Sequence, residues 1–321
     1  MNKLLDYIFL MRPMLIIPVW TISLLGARAS LWRERGTSPI TLDRYPFVDF
    51  STSDLNILAM LGLATLLAGG VFILNQIYDA DTDRINKKLF LISDGHISAA
   101  EAWKLYIMVT AIAILGAFLM NWQLGCLFVV GAWFGFQYSY PHFKLREHPY
   151  KSFRNNIVAH GMLAFLFGWV MYLNFNIEGI IKSVPYLLAV GAVYLNTTLP
   201  DLEGDKTSGK TTYGGMWGVV KTQRTSFMLV LSGMLFSIMT ADYGFTVTAL
   251  VTSTFFLVAW LKESVAVSTV SSKVAILALS IFAAIFFPLY AAVLIFTIVL
   301  TRIYYARRFD VSYPALTEKS Q

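Results

Sequence analysis

The chain alternates between long apolar stretches and shorter polar connections along its whole length. A membrane-spanning helix needs about 20 apolar residues, with a range of about 17–25. Nine stretches fit this range or exceed it, and the last is long enough to contain a break near Pro288, which leaves a count of ten open. They cover residues 13–30, 55–77, 103–120, 122–140, 155–175, 181–199, 225–241, 244–261 and 273–304. The pattern predicts an all-α membrane protein with nine transmembrane helices.

The composition agrees with a membrane protein. Hydrophobic residues make up 57% of the 321 residues and charged residues 14%, against roughly 45–50% and about 25% in soluble domains. No low-complexity linker divides the chain, so we expect a single membrane domain over residues 1–321. The first stretch follows Arg12-Pro13, and we expect it to remain as a spanning helix rather than to be cleaved as a signal. The cations that give the net charge of +6 lie between the apolar stretches. We therefore expect a lipid bilayer as partner and no nucleic acid.

The connections between the stretches differ on the two sides of the membrane. Connections 2–3, 4–5 and 6–7 are long and charged, while 3–4, 5–6 and 7–8 are short. The side with the long connections holds fifteen lysines and arginines, against nine on the other side. The positive-inside rule places the more basic side in the cytoplasm. With nine spans, the N-terminus is predicted to be cytoplasmic and the C-terminus to lie on the opposite side.

Two aspartate-rich segments follow the second and the sixth stretch. Asn75, Asp79 and Asp83 are spaced by four residues, as are Asp201 and Asp205, and this spacing places side chains on one face of a helix. Clustered carboxylates repel one another unless a cation lies between them. Mg²⁺ held by carboxylates usually completes its shell with substrate phosphates. The two segments therefore predict a magnesium site that handles a diphosphate.

A third segment, residues 138–146, combines aromatic and basic side chains. Lys144 and Arg146 are candidates for binding the outer oxygens of a diphosphate through charge-assisted hydrogen bonds. Aromatic residues make up 15% of the chain, and ring faces can stabilise a cation in a cavity that excludes water. The candidates for lining such a cavity are Trp133, Phe136, Tyr138, Tyr140 and Tyr194.

With these segments, the chain resembles the UbiA superfamily of intramembrane prenyltransferases. The resemblance rests on Arg12-Pro13, on Asn-x-x-x-Asp-x-x-x-Asp at 75–83, on the segment at 138–146 and on Asp-x-Glu-Gly-Asp at 201–205. It implies nine helices around a central cavity with cytoplasmic cap loops. It also implies a Mg²⁺-dependent transfer of a prenyl group from an isoprenoid diphosphate donor to a hydrophobic, aromatic acceptor.

The resemblance assigns roles to individual residues. The catalytic and metal-binding positions that it implies are Asn75, Asp79, Asp83, Asp201 and Asp205. The substrate-binding positions are Arg12, Lys87, Lys88, Tyr138, Lys144, Arg146 and Tyr194. One departure affects the donor site: Phe90 stands where many members have an arginine that contacts diphosphate, so Lys87 and Lys88 are the candidates to replace it.

Two other functions stay open at this point. One is the prenylation of a non-aromatic lipid or carotenoid acceptor. The other is a cation-coupled transporter, but the carboxylates of transporters usually lie near the middle of the bilayer in broken helices. The aspartate segments instead lie where apolar stretches end and charged connections begin, which favours an enzyme with its site at the membrane face. Pro200 disfavours helix at the residue before it, so we expect a break in the helix just before Asp201.

Overall fold

The computed structural model describes residues 3–35, 52–85, 90–143, 145, 148–200, 202, 211–311 and 313, except the side chains of residues 35, 52–54, 81–85 and 90. These residues are almost entirely helical. The helices are α1 (Lys3–Leu10), α2 (Pro13–Arg35), α3 (Thr52–Ile85), α4 (Phe90–Ser93), α5 (Ala99–Met120), α6 (Trp122–Ser139), α7 (Pro149–Asn156), α8 (Ala164–Trp169), α9 (Ile177–Thr197), α10 (Tyr213–Met239), α11 (Tyr243–Leu261), α12 (Val265–Phe286) and α13 (Pro288–Phe309). A π-helical segment (Ile157–Leu163) joins α7 to α8, and a 3₁₀ turn (Pro141–Phe143) follows α6.

Seven of the described helices are long and apolar enough to cross a membrane: α2, α3, α5, α9, α11, α12 and α13. Their apolar parts contain 19–26 residues, close to the length that a bilayer requires. Tight connections turn the chain back between successive helices. Asn121, for example, ends α5 and caps α6, where its side chain accepts a hydrogen bond from the backbone of Gln123 at 2.8 Å. The structure thus confirms an all-α bundle, with seven candidate membrane spans among the described residues.

Helix α2 lies at the centre of the bundle, with 78% of its apolar window buried. It packs directly on the backbone of α8. A Cβ added to Gly168 would overlap the backbone of Ser23 and Ala27, and one added to Gly26 would overlap the carbonyl of Phe165. Small residues at such crossings let two backbones approach closely, which is a common source of helix association in lipid. The α2–α8 contact therefore fixes the middle of the bundle.

The helices that carry the predicted motifs finish at one end of the bundle, which we call the motif end. The rings of Tyr78 on α3 and Tyr140, just after α6, are 5.8 Å apart. The hydroxyls of Ser152 on α7 and Tyr194 on α9 share a 2.6 Å hydrogen bond. Only residues 140–148 separate α6 from α7, so the four helix ends lie on one side. We call the opposite side the far end.

The predicted ninth stretch divides into two helices at Phe287. Pro288 has no backbone N–H and fits the first position of a new helix, so α13 begins there. The rings near the end of α12 pack against the far end of α2. Helix α13 returns to the motif end, where the hydroxyl of Tyr304 donates a 2.7 Å hydrogen bond to Asp6 of α1. The break therefore adds one pass through the bundle within the described residues.

This extra pass corrects the predicted position of the C-terminus. Asp6 forms an ion pair with Arg308 at 3.4 Å, and the rings of Phe9 and Tyr304 stack at 3.7 Å. Arg308 also contacts the ring of His96, just before α5, at 3.3 Å. The prediction that the C-terminus lies opposite the N-terminus is wrong for the described chain, because the end of α13 packs against α1. The last arginines of α13 therefore belong to the basic side of the protein.

Candidate active site

The first aspartate segment lies on the last turns of α3. Contacts with α6 and α1 show in which direction its side chains point. A Cβ added to Gly135 of α6 would overlap Val71 of α3, so these two helices touch there. Gln76 is buried and donates hydrogen bonds to the backbone oxygens of Leu10 at 2.7 Å and Phe72 at 2.9 Å. These contacts define one side of α3 that faces α6 and another that faces α1.

Asn75 and Asp79 lie on the strip of α3 between these two sides, and both are partly exposed. Helix α3 continues without a break to Ile85, so the backbone of Asp83 continues the same strip, one turn further. The side chain of Asp83 lies outside the described residues. The structure thus places Asn75 and Asp79 together on an accessible strip of α3 at the motif end, between the side that faces α6 and the side that faces α1.

Tyr138 occupies the inward side of α6. It follows Gly135 by three residues, and Gly135 packs on Val71, so Tyr138 lies near the level of Asn75. Its side chain is partly exposed. The packing of α6 on α3 therefore places Tyr138, a predicted substrate-binding residue, close to Asn75.

Three other aromatic residues that were predicted to line the cavity lie on the outer side of α6. Trp133 is 50% exposed, and Phe136 stacks on Tyr140 at 5.1 Å between ring centroids. The ring of Phe143 contacts Trp133 at 5.6 Å. These positions lie roughly 100–160° around the helix axis from Gly135, which faces α3. They form an aromatic cluster at the edge of the bundle, like the belts found at membrane interfaces, and the prediction for Trp133, Phe136 and Tyr140 was wrong.

Tyr194 closes the site on the α9 side. Its hydroxyl bonds Ser152, and its ring meets that of Phe153 at 5.7 Å. Helix α9 ends at Thr197, before Pro200, as the proline predicted. Asn196 anchors this end by donating a 3.1 Å hydrogen bond to Ser271 of α12.

Arg12 lies between α1 and α2 at the motif end. Its φ of 54° is in the left-handed region, and its backbone N–H donates to the carbonyl of Phe9 at 3.0 Å, which turns the chain into α2. Burial raises the pKa of Tyr313, and the Arg12 guanidinium partly opposes this rise. The charge of Arg12 therefore lies near the C-terminal segment, at the same end as Asn75 and Asp79.

Several predicted positions lie outside the described residues: Lys87, Lys88, Lys144, Arg146, Asp201 and Asp205. The described side chains alone contain no group of three metal-binding acids, histidines or cysteines. The two donors that are described, Asn75 and Asp79, offer an amide and a carboxylate oxygen on one accessible strip. Oxygen donors of this kind fit a hard divalent cation such as Mg²⁺.

The structure also brings together residues that sequence reasoning missed. Ser152, Asn156 and His160 form a polar strip on α7 and the π-helical segment. Ser152 is buried, whereas Asn156 and His160 are partly exposed. Their spacing of four residues was visible in the sequence, within and just before the fifth apolar stretch.

Comparison with known proteins gives consistent matches. The profile of the UbiA prenyltransferase family matches residues 46–274. Probable homogentisate phytyltransferase 2, chloroplastic, of Oryza sativa subsp. japonica is 28% identical over 166 residues, which is 46% of this chain and 42% of that protein. The 2-acylphloroglucinol 4-prenyltransferase, chloroplastic, of Humulus lupulus is 28% identical over 204 residues, 58% of this chain and 46% of that protein. The chain thus spans less than half the length of these two relatives.

A solved structure shares the fold over most of the chain. It is that of a UbiA homologue from Archaeoglobus fulgidus bound to GPP and Mg²⁺. The two are 18% identical and superpose with a TM-score of 0.67 over 88% of this chain and 99% of that chain. The overall helical arrangement is therefore that of UbiA homologues.

Proposed function

Because the chain belongs to the UbiA prenyltransferase family, we propose that it transfers a prenyl group from an isoprenoid diphosphate to a lipophilic aromatic acceptor inside a membrane. The observation that carries this proposal is the strip of α3 at the motif end, where Asn75 and Asp79 stay partly exposed within an apolar bundle. The aromatic acceptor class is supported by the two plant relatives, whose names specify homogentisate and 2-acylphloroglucinol.

Asn75, Asp79, Asp83, Asp201 and Asp205 are the residues that would hold Mg²⁺. When bound, the cation neutralises the negative charge of the diphosphate leaving group. The GPP and Mg²⁺ bound by the Archaeoglobus homologue support this assignment. The basic residues that would bind the diphosphate oxygens are Arg12, Lys87, Lys88, Lys144 and Arg146.

The chemistry of this chain is then an electrophilic alkylation. The bond between the first prenyl carbon and the diphosphate oxygen breaks, and its electron pair leaves with the diphosphate. A ring carbon of the acceptor forms the new carbon–carbon bond and then loses its proton. The role of the bundle is to exclude water from the allylic cation, and Tyr138 and Tyr194 supply rings near the site whose faces can stabilise positive charge.

We also propose how the protein sits in the membrane. Residues 1–321 form one membrane domain, and the described helices cross it ten times, with α7, the π-helical segment and α8 counted as one pass. The predicted count of nine becomes ten because the last stretch divides at Phe287. The motif end lies in the cytoplasm, since most lysines and arginines are on that side.

The test is a transfer assay with purified protein in lipid nanodiscs. The donors are C10 to C20 prenyl diphosphates, and the acceptors are dihydroxyphenyl acids, acylated phloroglucinols, polyenes and glycerol phosphate lipids. Mass spectrometry measures the product, and a coupled assay measures diphosphate release. We expect product only with Mg²⁺ and an aromatic acceptor. If product forms only with a glycerol phosphate lipid, the acceptor is a lipid and not an aromatic compound. If no combination of donor and acceptor releases diphosphate, the enzyme assignment is refuted.

Asp79→Asn tests the site in the same assay. Asp94→Asn is a matched control, because Asp94 is an exposed carboxylate at the same end of the bundle. We expect turnover to fall by orders of magnitude in Asp79→Asn and in EDTA, and to stay near the wild-type value in Asp94→Asn. Full turnover of Asp79→Asn would remove this residue from the site.

A further inference from the structure

The helix that contains the π-helical segment has one polar side and one exposed side at its start. Tyr150, Lys151 and Arg154 are exposed on one side of α7. Ser152 and Asn156 lie on the other side of α7, one turn apart. The amide of Asn156 donates to the carbonyl of Ser152 at 2.9 Å, so the two residues form a continuous polar surface.

Two neighbouring helices show where this polar side points. Phe153 reaches α9, where a Cβ added to Gly191 would lie 3.1 Å from its ring. Asn155 reaches α6, where its amide donates to the carbonyl of Phe134 at 3.3 Å. Ser152 and Asn156 lie between these two directions, on the side away from the exposed residues. They therefore point into the wedge between α6 and α9.

The π-helical segment keeps His160 on the same side. Gly161 packs on α9, because a Cβ there would come within 2.5 Å of the Leu187 Cα atom. Position 160 precedes it by one residue and therefore faces the wedge next to α9. His160 lies two helical turns beyond Ser152 within the span and is partly exposed. A partly exposed side chain in this position borders the wedge between α6 and α9.

A polar strip in this place needs an explanation. Polar side chains within a bilayer are costly and usually serve function, and π-helical turns within helices occur frequently at functional sites. The strip starts beside Tyr194 at the motif end and leads inward from the level of the proposed diphosphate site. A prenyl chain is a hydrocarbon and gains nothing from an amide and an imidazole. An acceptor that carries hydroxyl or carbonyl groups does gain hydrogen bonds from them.

We propose that Asn156 and His160 bind the polar ring substituents of the acceptor and so determine which acceptors the protein accepts. This inference rests on the proposed prenyl transfer and adds the residues that select its second substrate. The donor is bound by other residues, so the two variants described next should affect the acceptor alone.

The experiment compares acceptors with and without one hydroxyl group, in the wild type and in His160→Leu and Asn156→Leu. A buried hydrogen bond left unmade costs about 1–3 kcal/mol, so the wild type should discriminate against the hydroxyl-deleted acceptor by about 5- to 150-fold in kcat/KM. We expect each variant to lose most of this discrimination, to raise the acceptor KM, and to keep the donor KM. His160→Gln, which retains a hydrogen-bonding group, should restore part of the discrimination.

Ser183→Ala is the control for packing. Ser183 is also a buried polar residue in a span, but its hydroxyl donates to the carbonyl of Ile180 in its own helix at 2.7 Å. It should leave both KM values and the discrimination unchanged. Thermal unfolding and donor binding of all variants show whether they fold.

The outcomes separate this inference from the proposed function. Suppose that the wild type transfers prenyl groups and that the folded variants show the same discrimination between the two acceptors as the wild type. In that case Asn156 and His160 do not bind the acceptor. If the donor KM rises as much as the acceptor KM, their role is structural and the inference is wrong. If the wild type transfers no prenyl group to any acceptor, the proposed function fails first and the inference fails with it.

Discussion

The removal of one partner from a buried ion pair at the far end of the bundle should strongly destabilise the protein. Arg28 of α2 is 4% exposed and Asp242, which precedes α11, is 12% exposed, and their closest atoms are 3.5 Å apart. Asp242 also accepts a 2.6 Å hydrogen bond from the hydroxyl of Tyr186 on α9. Its other carboxylate oxygen accepts from the backbone of Phe245 at 3.3 Å, which caps α11. One carboxylate thus connects three helices.

The expected loss of stability follows from these contacts. Loss of one member of a buried pair costs about 3–5 kcal/mol, because the other charge stays buried without its partner. Loss of the N-cap adds about 1 kcal/mol. The guanidinium of Arg28 retains ring contacts with Trp32 at 3.5 Å and Phe286 at 4.2 Å, which keep it from moving into water. We therefore expect Asp242→Ala to lower the free energy of unfolding by about 4–6 kcal/mol.

The assay is reversible unfolding in mixed detergent micelles, followed by circular dichroism. Glu178→Gln is the matched control, because Glu178 pairs with Arg33 at 3.1 Å near the same end but with side chains 36% and 62% exposed. An exposed pair is worth about 0–1 kcal/mol. The double variant Arg28→Met/Asp242→Ala removes both charges and should recover part of the loss. The argument from the buried charge is refuted if Asp242→Ala lowers the free energy of unfolding no more than Glu178→Gln does. It is also refuted if the double variant loses more free energy of unfolding than its two single variants lose together.

Three further predictions concern packing, topology and the donor site. Gly168→Leu should cost several kcal/mol and lower expression, because its side chain would overlap the backbone of α2; wild-type stability would contradict that contact. In a Cys126→Ala background, cysteines introduced at Asp94 and Asp310 should react with an impermeant reagent from the same side of sealed vesicles, and one at Phe175 from the other side; labelling of 94 and 310 from opposite sides would restore the predicted nine passes. Lys144→Ala should raise the donor KM markedly, whereas Phe90→Arg should be tolerated or tighten donor binding; the reverse result would assign this segment to the acceptor or the prenyl chain.

The sequence predicted the membrane bundle and the α3 strip because both depend on local periodicity. A spanning helix is recognised by its apolar length, and Asn75 and Asp79 share a face because α3 is a regular helix. The number of passes was harder to predict, because one residue decides it. Only Pro288 marks the break in an otherwise continuous apolar stretch, and the side on which the C-terminus lies changes with that single break.

The inner and outer sides of α6 could not be distinguished by hydrophobicity. Lipid is as apolar as the interior of the bundle, so aromatic residues occur all around this helix, and Trp133 is as compatible with lipid as with a cavity. The inward side of α6 is instead indicated by its glycine at position 135. Gly135 permits the close approach of Val71 and so defines the inward side, and from it the inward position of Tyr138 follows.

The position of the polar strip could not be predicted from residue spacing alone. In a regular α-helix, residues four apart rotate steadily around the axis, so Ser152, Asn156 and His160 would drift towards α9. The wider turn of the π-helical segment rotates each residue less and returns His160 to the wedge between α6 and α9. The same segment places Gly161 against the backbone of α9. The π-helical segment therefore packs the helix on α9 and places His160 at the wedge between α6 and α9. This placement depends on the backbone geometry of one irregular turn, which the sequence spacing does not reveal.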